Sequence, residues 1–132
     1  MITDFEREAL IEYRLDQALD AFELAKFLVS NDKLVIAVNR IYYGMYYALT
    51  ALALRNKYET SKHSQLIGWF NKEYVSNKKI DPRFGRILRN AFQNRMKGDY
   101  DAFVFFSAPD VEEMLMEMSD FIDEIKRILF ET

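Results

Sequence analysis

Residues 33–58, KLVIAVNRIYYGMYYALTALALRNKY, decide the fold. Apolar side chains run around every side of this stretch, interrupted mainly by Asn39, Arg40 and Thr50, which is the pattern of a helix covered by neighbours on most sides. A buried strand fails on length, because strands seldom exceed about ten residues, and Ala, Leu and Met favour helix. The apolar run from Ile41 to Leu54 is shorter than the roughly 20 residues that cross a bilayer. It also contains four tyrosines and a glycine. The stretch is therefore expected to be the central helix of a soluble bundle.

Around it the other elements fall into place. From Thr3 to Ser30, Leu15, Ala18, Leu19, Phe22, Ala25 and Val29 form one helical stripe, with Glu12, Asp16, Asp20 and Glu23 opposite. The cluster Ser30, Asn31 and Asp32 is expected to end that helix and start the next. Beyond the central helix, Thr60 and Ser61 are capping candidates for a third, shorter helix carrying Leu66, Ile67, Phe70 and Tyr74. Asp81 before Pro82 marks a fourth start, since a carboxylate caps free backbone donors and proline suits the first helical turn. That helix is expected to bury Phe84, Ile87, Leu88, Ala91 and Phe92, and to stop at Gly98 in a left-handed turn. Ser107 and Asp110 then cap a fifth helix patterned by Val111, Met114, Leu115, Met118, Ile122, Ile125 and Leu129. The reading is all-α, a four- to five-helix up-and-down bundle with short connections, formed by residues 1–132 as one domain.

Composition narrows the function. Half of the 132 residues are hydrophobic and 30% are charged, enough for one core and unlike a disordered chain. There is no cysteine, which excludes disulfides, thiolate metal sites and a cysteine nucleophile, and suits a reducing cytoplasm. The acidic N-terminus MITDFEREALIEYR does not look like a targeting segment. No phosphate loop or G-x-S-x-G turn occurs, and the single histidine, His63, has no metal-ligand spacing around it, so no metal and no cofactor are expected. Charge is segregated: residues 1–32 carry a net −5, residues 33–97 a net +10 and residues 98–132 a net −8. Either the acidic outer helices neutralise the basic inner ones within the bundle or across a dimer, or the basic middle meets an anionic ligand such as a nucleotide or RNA.

Four groups of residues could carry function, each with two readings. His63, near the start of the third helix, fits a hydrogen-bonding or capping role or a proton-transfer role in a cleft. Tyr42, Tyr43, Tyr46 and Tyr47, beside Arg40, fit packing with satisfied hydroxyls or a cleft that contacts a nucleotide or RNA. Arg89 and Arg95, with Asp99 and Tyr100 just past Gly98, fit a structural Arg95–Asp99 ion pair or a phosphate-binding arginine. The adjacent acids Glu112, Glu113, Asp123 and Glu124 diverge around their helix and read as solvated surface.

Three stretches carry a family likeness. RIYYGMYYALTALAL at 40–54, KHSQLIGWFNKEYV at 62–75 and DPRFGRILRNAFQNRMKGDYD at 81–101 together resemble the HEPN family, the higher eukaryotes and prokaryotes nucleotide-binding domains. The resemblance implies a bundle that forms a homodimer, often encoded beside a small nucleotidyltransferase partner in a prokaryotic toxin–antitoxin pair. Many members of the family are metal-independent endoribonucleases, with an arginine late in a helix, a polar residue next, and a histidine after a spacer of four to six residues. Arg95 matches the arginine, but Met96 stands at the polar position and Tyr100, Asp101 and Ala102 where the histidine belongs. Starting from Arg89 and Asn90 gives Asn94, Arg95 and Met96 instead. The likeness thus points to Arg95 and Tyr100 as candidate catalytic residues, and to Arg40, Tyr43, Arg89 and Asp99 as candidate nucleotide or RNA contacts. A tyrosine, with an ordinary pKa of about 10, is a poor substitute for a group titrating near neutrality.

Overall fold

The computed structural model describes residues 1–131, and all of its regular elements are helical. They are α1 (Asp4–Ser30), α2 (Leu34–Arg55), α3 (His63–Phe70), α4 (Pro82–Tyr100) and α5 (Ala108–Phe130). Helix α3 loosens without a break into a π-helical turn over Asn71–Ser76.

Helix α2 is the centre, as its all-round apolar character requires: α1, α3, α4 and α5 all pack on it, α1 most extensively. Small residues set the α1–α2 separation. Ala18, Ala21 and Ala25 line the buried side of α1, and Gly44 of α2 sits where a Cβ would lie 2.1 Å from Met118 Cε on α5 and 3.2 Å from Ala21 Cβ. Three helices therefore converge on the one α2 position that has no side chain.

The start signals at Asp81 and Ser107 are realised, and Thr3 adds a cap at the start of α1. Thr3 and Glu6 form a reciprocal capping box at 2.9 and 3.0 Å, Asp81 Oδ1 accepts from Arg83 N at 2.9 Å, and Ser107 Oγ accepts from Asp110 N at 3.2 Å. Four expectations are corrected. Leu19 lies 41% exposed, because the inward stripe of α1 runs through Ile11, Leu15, Ala18, Ala21 and Ala25 instead. The Thr60–Ser61 cap is not used: Lys62 precedes α3, and Thr60 Oγ1 bonds Gln65 Oε1 at 2.6 Å. The third helix does not stay α-helical to Tyr74; its π turn packs against α4 at Gly85, where a Cβ would lie 3.0 Å from Asn71 Oδ1.

The fourth correction bears on the site. Helix α4 does not stop at Gly98 but continues to Tyr100, and no described glycine has positive φ. One turn of helix is what brings Asp99 back to Arg95, at 3.5 Å, and across to Asn39 of α2, at 3.2 Å from both carboxylate oxygens. Those bonds hold the last turn in place, and a side chain at Gly98 would meet Val35 and Phe106 only at ordinary contact distance.

Part of the charge segregation resolves inside the bundle. Arg55 of α2 reaches Glu8 of α1 at 3.1 Å and the carbonyl of Leu129 of α5 at 2.8 Å, and Arg83 of α4 meets Asp120 of α5 at 3.2 Å. No helix is long and apolar enough to cross a membrane among the described residues.

Candidate functional site

Asn39, Tyr42, Tyr43 and Tyr46 share one face of α2 because they are spaced three or four residues apart, and Phe92, Arg95 and Asp99 share one face of α4 for the same reason. The two faces meet, and the first residue of α3, His63, closes the space above Tyr46.

Arg95 is at the centre. It is only 8% exposed and is the one charged residue classed as buried among those described. Its guanidinium carbon lies 5.0 Å from the ring centre of Tyr42, 5.3 Å from that of Phe92 and 5.5 Å from that of Tyr43, within range of cation–π attraction to all three. Asp99 is its acidic partner, and its Nε has no hydrogen-bond partner among the described residues. A buried N–H left unbonded costs about 1–3 kcal/mol.

A second cation sits beside it. Arg40 places its guanidinium 5.1 Å from the Tyr43 ring centre and donates through Nε and Nη2 to Asn39 Oδ1 at 3.0 and 2.8 Å. Asn39 in turn donates to Asp99, so Arg40, Asn39, Asp99 and Arg95 form one continuous polar chain across α2 and α4. Arg40 also borders a groove between α1 and α2 of about 230 Å³, with Gln17, Asp20, Leu24 and Tyr47.

His63 completes the site. Its ring stacks on Tyr46 with centroids 4.1 Å apart and planes 10° from parallel, and its Nδ1 lies 2.6 Å from the Tyr42 hydroxyl. Burial, reinforced by the charge of Arg95, holds the His63 pKa below its ordinary value, so the ring is neutral at neutral pH. Tyr42 is completely buried, and burial pushes its phenol far above the usual range against the opposing pull of Arg95. Chemically, the arrangement offers two guanidinium groups to an anion, tyrosine rings to a flat base, and one neutral imidazole packed on those rings.

Of the residues singled out from the sequence, the fold brings together Arg40, Tyr43, Arg95 and Asp99. It sets two apart. Tyr100 is 74% exposed and turned about 140° around α4 from Arg95, given 100° per residue. Arg89 is exposed on the outer side of α4, about 120° away from Arg95 by the same count. Asn39 is the member that sequence reasoning did not assign to the site, and His63 is the one it left between a cap and a cleft. Asn39 had a visible signal as a polar interruption of an apolar helix. His63 stood out as the lone histidine, but only tertiary packing carries α3 to Tyr42.

Fold and site together define a class: a five-helix bundle that holds a buried arginine and a neutral histidine among the tyrosines of its central helix. The HEPN domain family matches residues 11–128 of the chain. A UPF0332 protein of Thermotoga maritima is 35% identical over 124 residues, covering 94% of each chain. Two proteins of Methanocaldococcus jannaschii, "Putative toxin MJ0142" and "Putative toxin MJ0605", are 28% and 31% identical; the alignments cover 95% and 96% of this chain and 84% and 90% of theirs. The chain belongs to the HEPN family.

Proposed function

We propose that this chain is a toxin-like HEPN module that binds RNA or nucleotide through the Arg95 centre, and that it works as a homodimer, one domain per chain, paired with a nucleotidyltransferase partner. The observation that carries the binding reading is Arg95 itself: a buried guanidinium on three aromatic rings, with an unbonded Nε and Arg40 close by, has the character of a phosphate site flanked by stacking surfaces. The names of the two archaeal relatives support the toxin-like role. The pairing and the dimer rest on the family resemblance. Exposed Phe103 and Phe105, 95% and 84% accessible beside α4, offer apolar surface for either contact.

Fluorescence anisotropy with a short single-stranded RNA tests the binding: the unmodified protein binds and Arg95→Ala loses at least about tenfold in affinity, the size expected for a hydrogen-bonded charge. Equal affinity of the two proteins rejects the site. Gel filtration of the chain alone, and mixed with the product of a neighbouring nucleotidyltransferase gene, tests the assembly. A monomer in both runs rejects it.

A second reading is metal-independent cleavage of RNA, favoured by the placement of His63 against the Arg95 centre. Incubation with structured RNA in chelator decides it. Cleavage by the unmodified protein that disappears in both Arg95→Ala and His63→Ala supports this reading, and intact RNA removes it.

A further inference from the structure

The contact between Tyr42 and His63 decides which nitrogen of the imidazole carries the proton. Tyr42 is fully buried and keeps its phenolic proton, and a buried O–H must find an acceptor. Arg95, packed on the Tyr42 ring, has only donors to offer. His63 Nδ1, at 2.6 Å, is the acceptor within reach, so it must be unprotonated, and the single proton of the neutral ring then sits on Nε2.

We infer that His63 serves this site as a fixed hydrogen-bond donor through Nε2–H, with Tyr42 as the positioning residue that sets its tautomer, and that the acceptor it meets is a phosphate oxygen of single-stranded RNA. The ligand half of this inference rests on the binding function proposed above; the tautomer half does not. The tautomer separates this donor role from the cleavage reading, because an Nε2 that already holds a proton has no lone pair with which to take one from a ribose hydroxyl. The neighbours act in the same direction. Burial against Tyr43 and Tyr46 and the charge of Arg95 on α4 disfavour a positive charge on the ring, Arg40 of α2 lies on Tyr43, Lys62 precedes His63 on the chain, and Asp99, the one carboxylate of the cluster, is bonded to Arg95 and Asn39. A protonated His63 would also leave the Tyr42 hydroxyl without its acceptor.

Because His63 is the only histidine in the chain, its signals are unambiguous. A long-range proton–nitrogen NMR spectrum of the free, nitrogen-15-labelled protein at neutral pH is expected to show an unprotonated Nδ1 and a protonated Nε2. A protonated Nδ1 overturns the inference. In Tyr42→Phe the neutral ring loses its hydrogen bond, so the second proton is expected to enter at higher pH than in the unmodified protein; an unchanged titration also overturns it. Anisotropy with a short oligouridylate then tests the donor role. The amide nitrogen of glutamine stands close to Nε2, so His63→Gln is expected to keep affinity within about threefold, while His63→Ala loses about tenfold. Equal losses in both, or a loss in neither, refute a donor at Nε2. If the unmodified protein fails to bind oligouridylate, the RNA ligand is refuted while the spectrum still decides the tautomer.

Discussion

Replacing Arg95 with methionine separates what the centre does for the fold from what it does for a ligand. Methionine keeps most of the stem that packs between Tyr42, Tyr43 and Phe92 and removes the guanidinium. The substitution gives up the helical pair with Asp99, which such spacing makes worth about 0.3–0.5 kcal/mol. It also gives up attraction to three rings, about 0.5–1 kcal/mol for each. It relieves the burial of a cation whose Nε is unbonded, a penalty of about 1–3 kcal/mol. Asp99 is not left isolated, because Asn39 still donates to both of its oxygens. The contributions offset one another to within about 1 kcal/mol, a change of a few degrees at most in the melting midpoint of a domain this size. Urea unfolding followed by circular dichroism is therefore expected to give nearly equal stabilities for the two proteins, while RNA anisotropy shows binding only for the unmodified one. A loss of more than about 2 kcal/mol with unchanged affinity would refute the reasoning and make Arg95 a structural residue.

Other outcomes follow from particular contacts. Gly44→Ala must displace Met118 and Ala21, an overpacking cost of about 1–3 kcal/mol that exceeds the gain in helix propensity, so its unfolding midpoint in urea falls. Gly68→Ala meets nothing within 4 Å on an exposed position of α3 and is expected to stabilise by about 0.5–1 kcal/mol; a loss there would contradict the packing described. The lowered pKa of His63 means that the unfolded chain takes up a proton as pH falls through about 6.5 while the folded chain resists it. His63 therefore contributes fully above that pH and loses its contribution below it, and His63→Gln should flatten this acid limb in stability measured against pH. Tyr100→Phe, at an exposed position whose hydroxyl has no hydrogen bond among the described residues, is expected to change RNA affinity by less than about twofold; a large loss would return Tyr100 to the site.

The sequence by itself determined the helices and their order. The periodicity of apolar residues marked α1, α2, α4 and α5, the chemistry of Asp81 and Ser107 fixed two of the starts, and the all-round apolar character of residues 33–58 made α2 the centre. These are local signals, carried by neighbours three and four residues apart. The sequence also brought Arg95, Asp99, Arg40 and Tyr43 into view as candidates, since each lies in a stretch with a visible pattern. Only the tertiary structure decided the rest. That Asp99 belongs to a helix and Gly98 does not end it depends on Asn39, 60 residues away. That Tyr100 and Arg89 point elsewhere depends on which side of α4 meets α2. That His63 reaches the phenol of Tyr42 depends on how the loop after α2 carries α3 back over it, a contact across 21 residues. The hydrogen bond that fixes the state of the lone histidine joins two helices, and residue spacing within one helix carries no record of it.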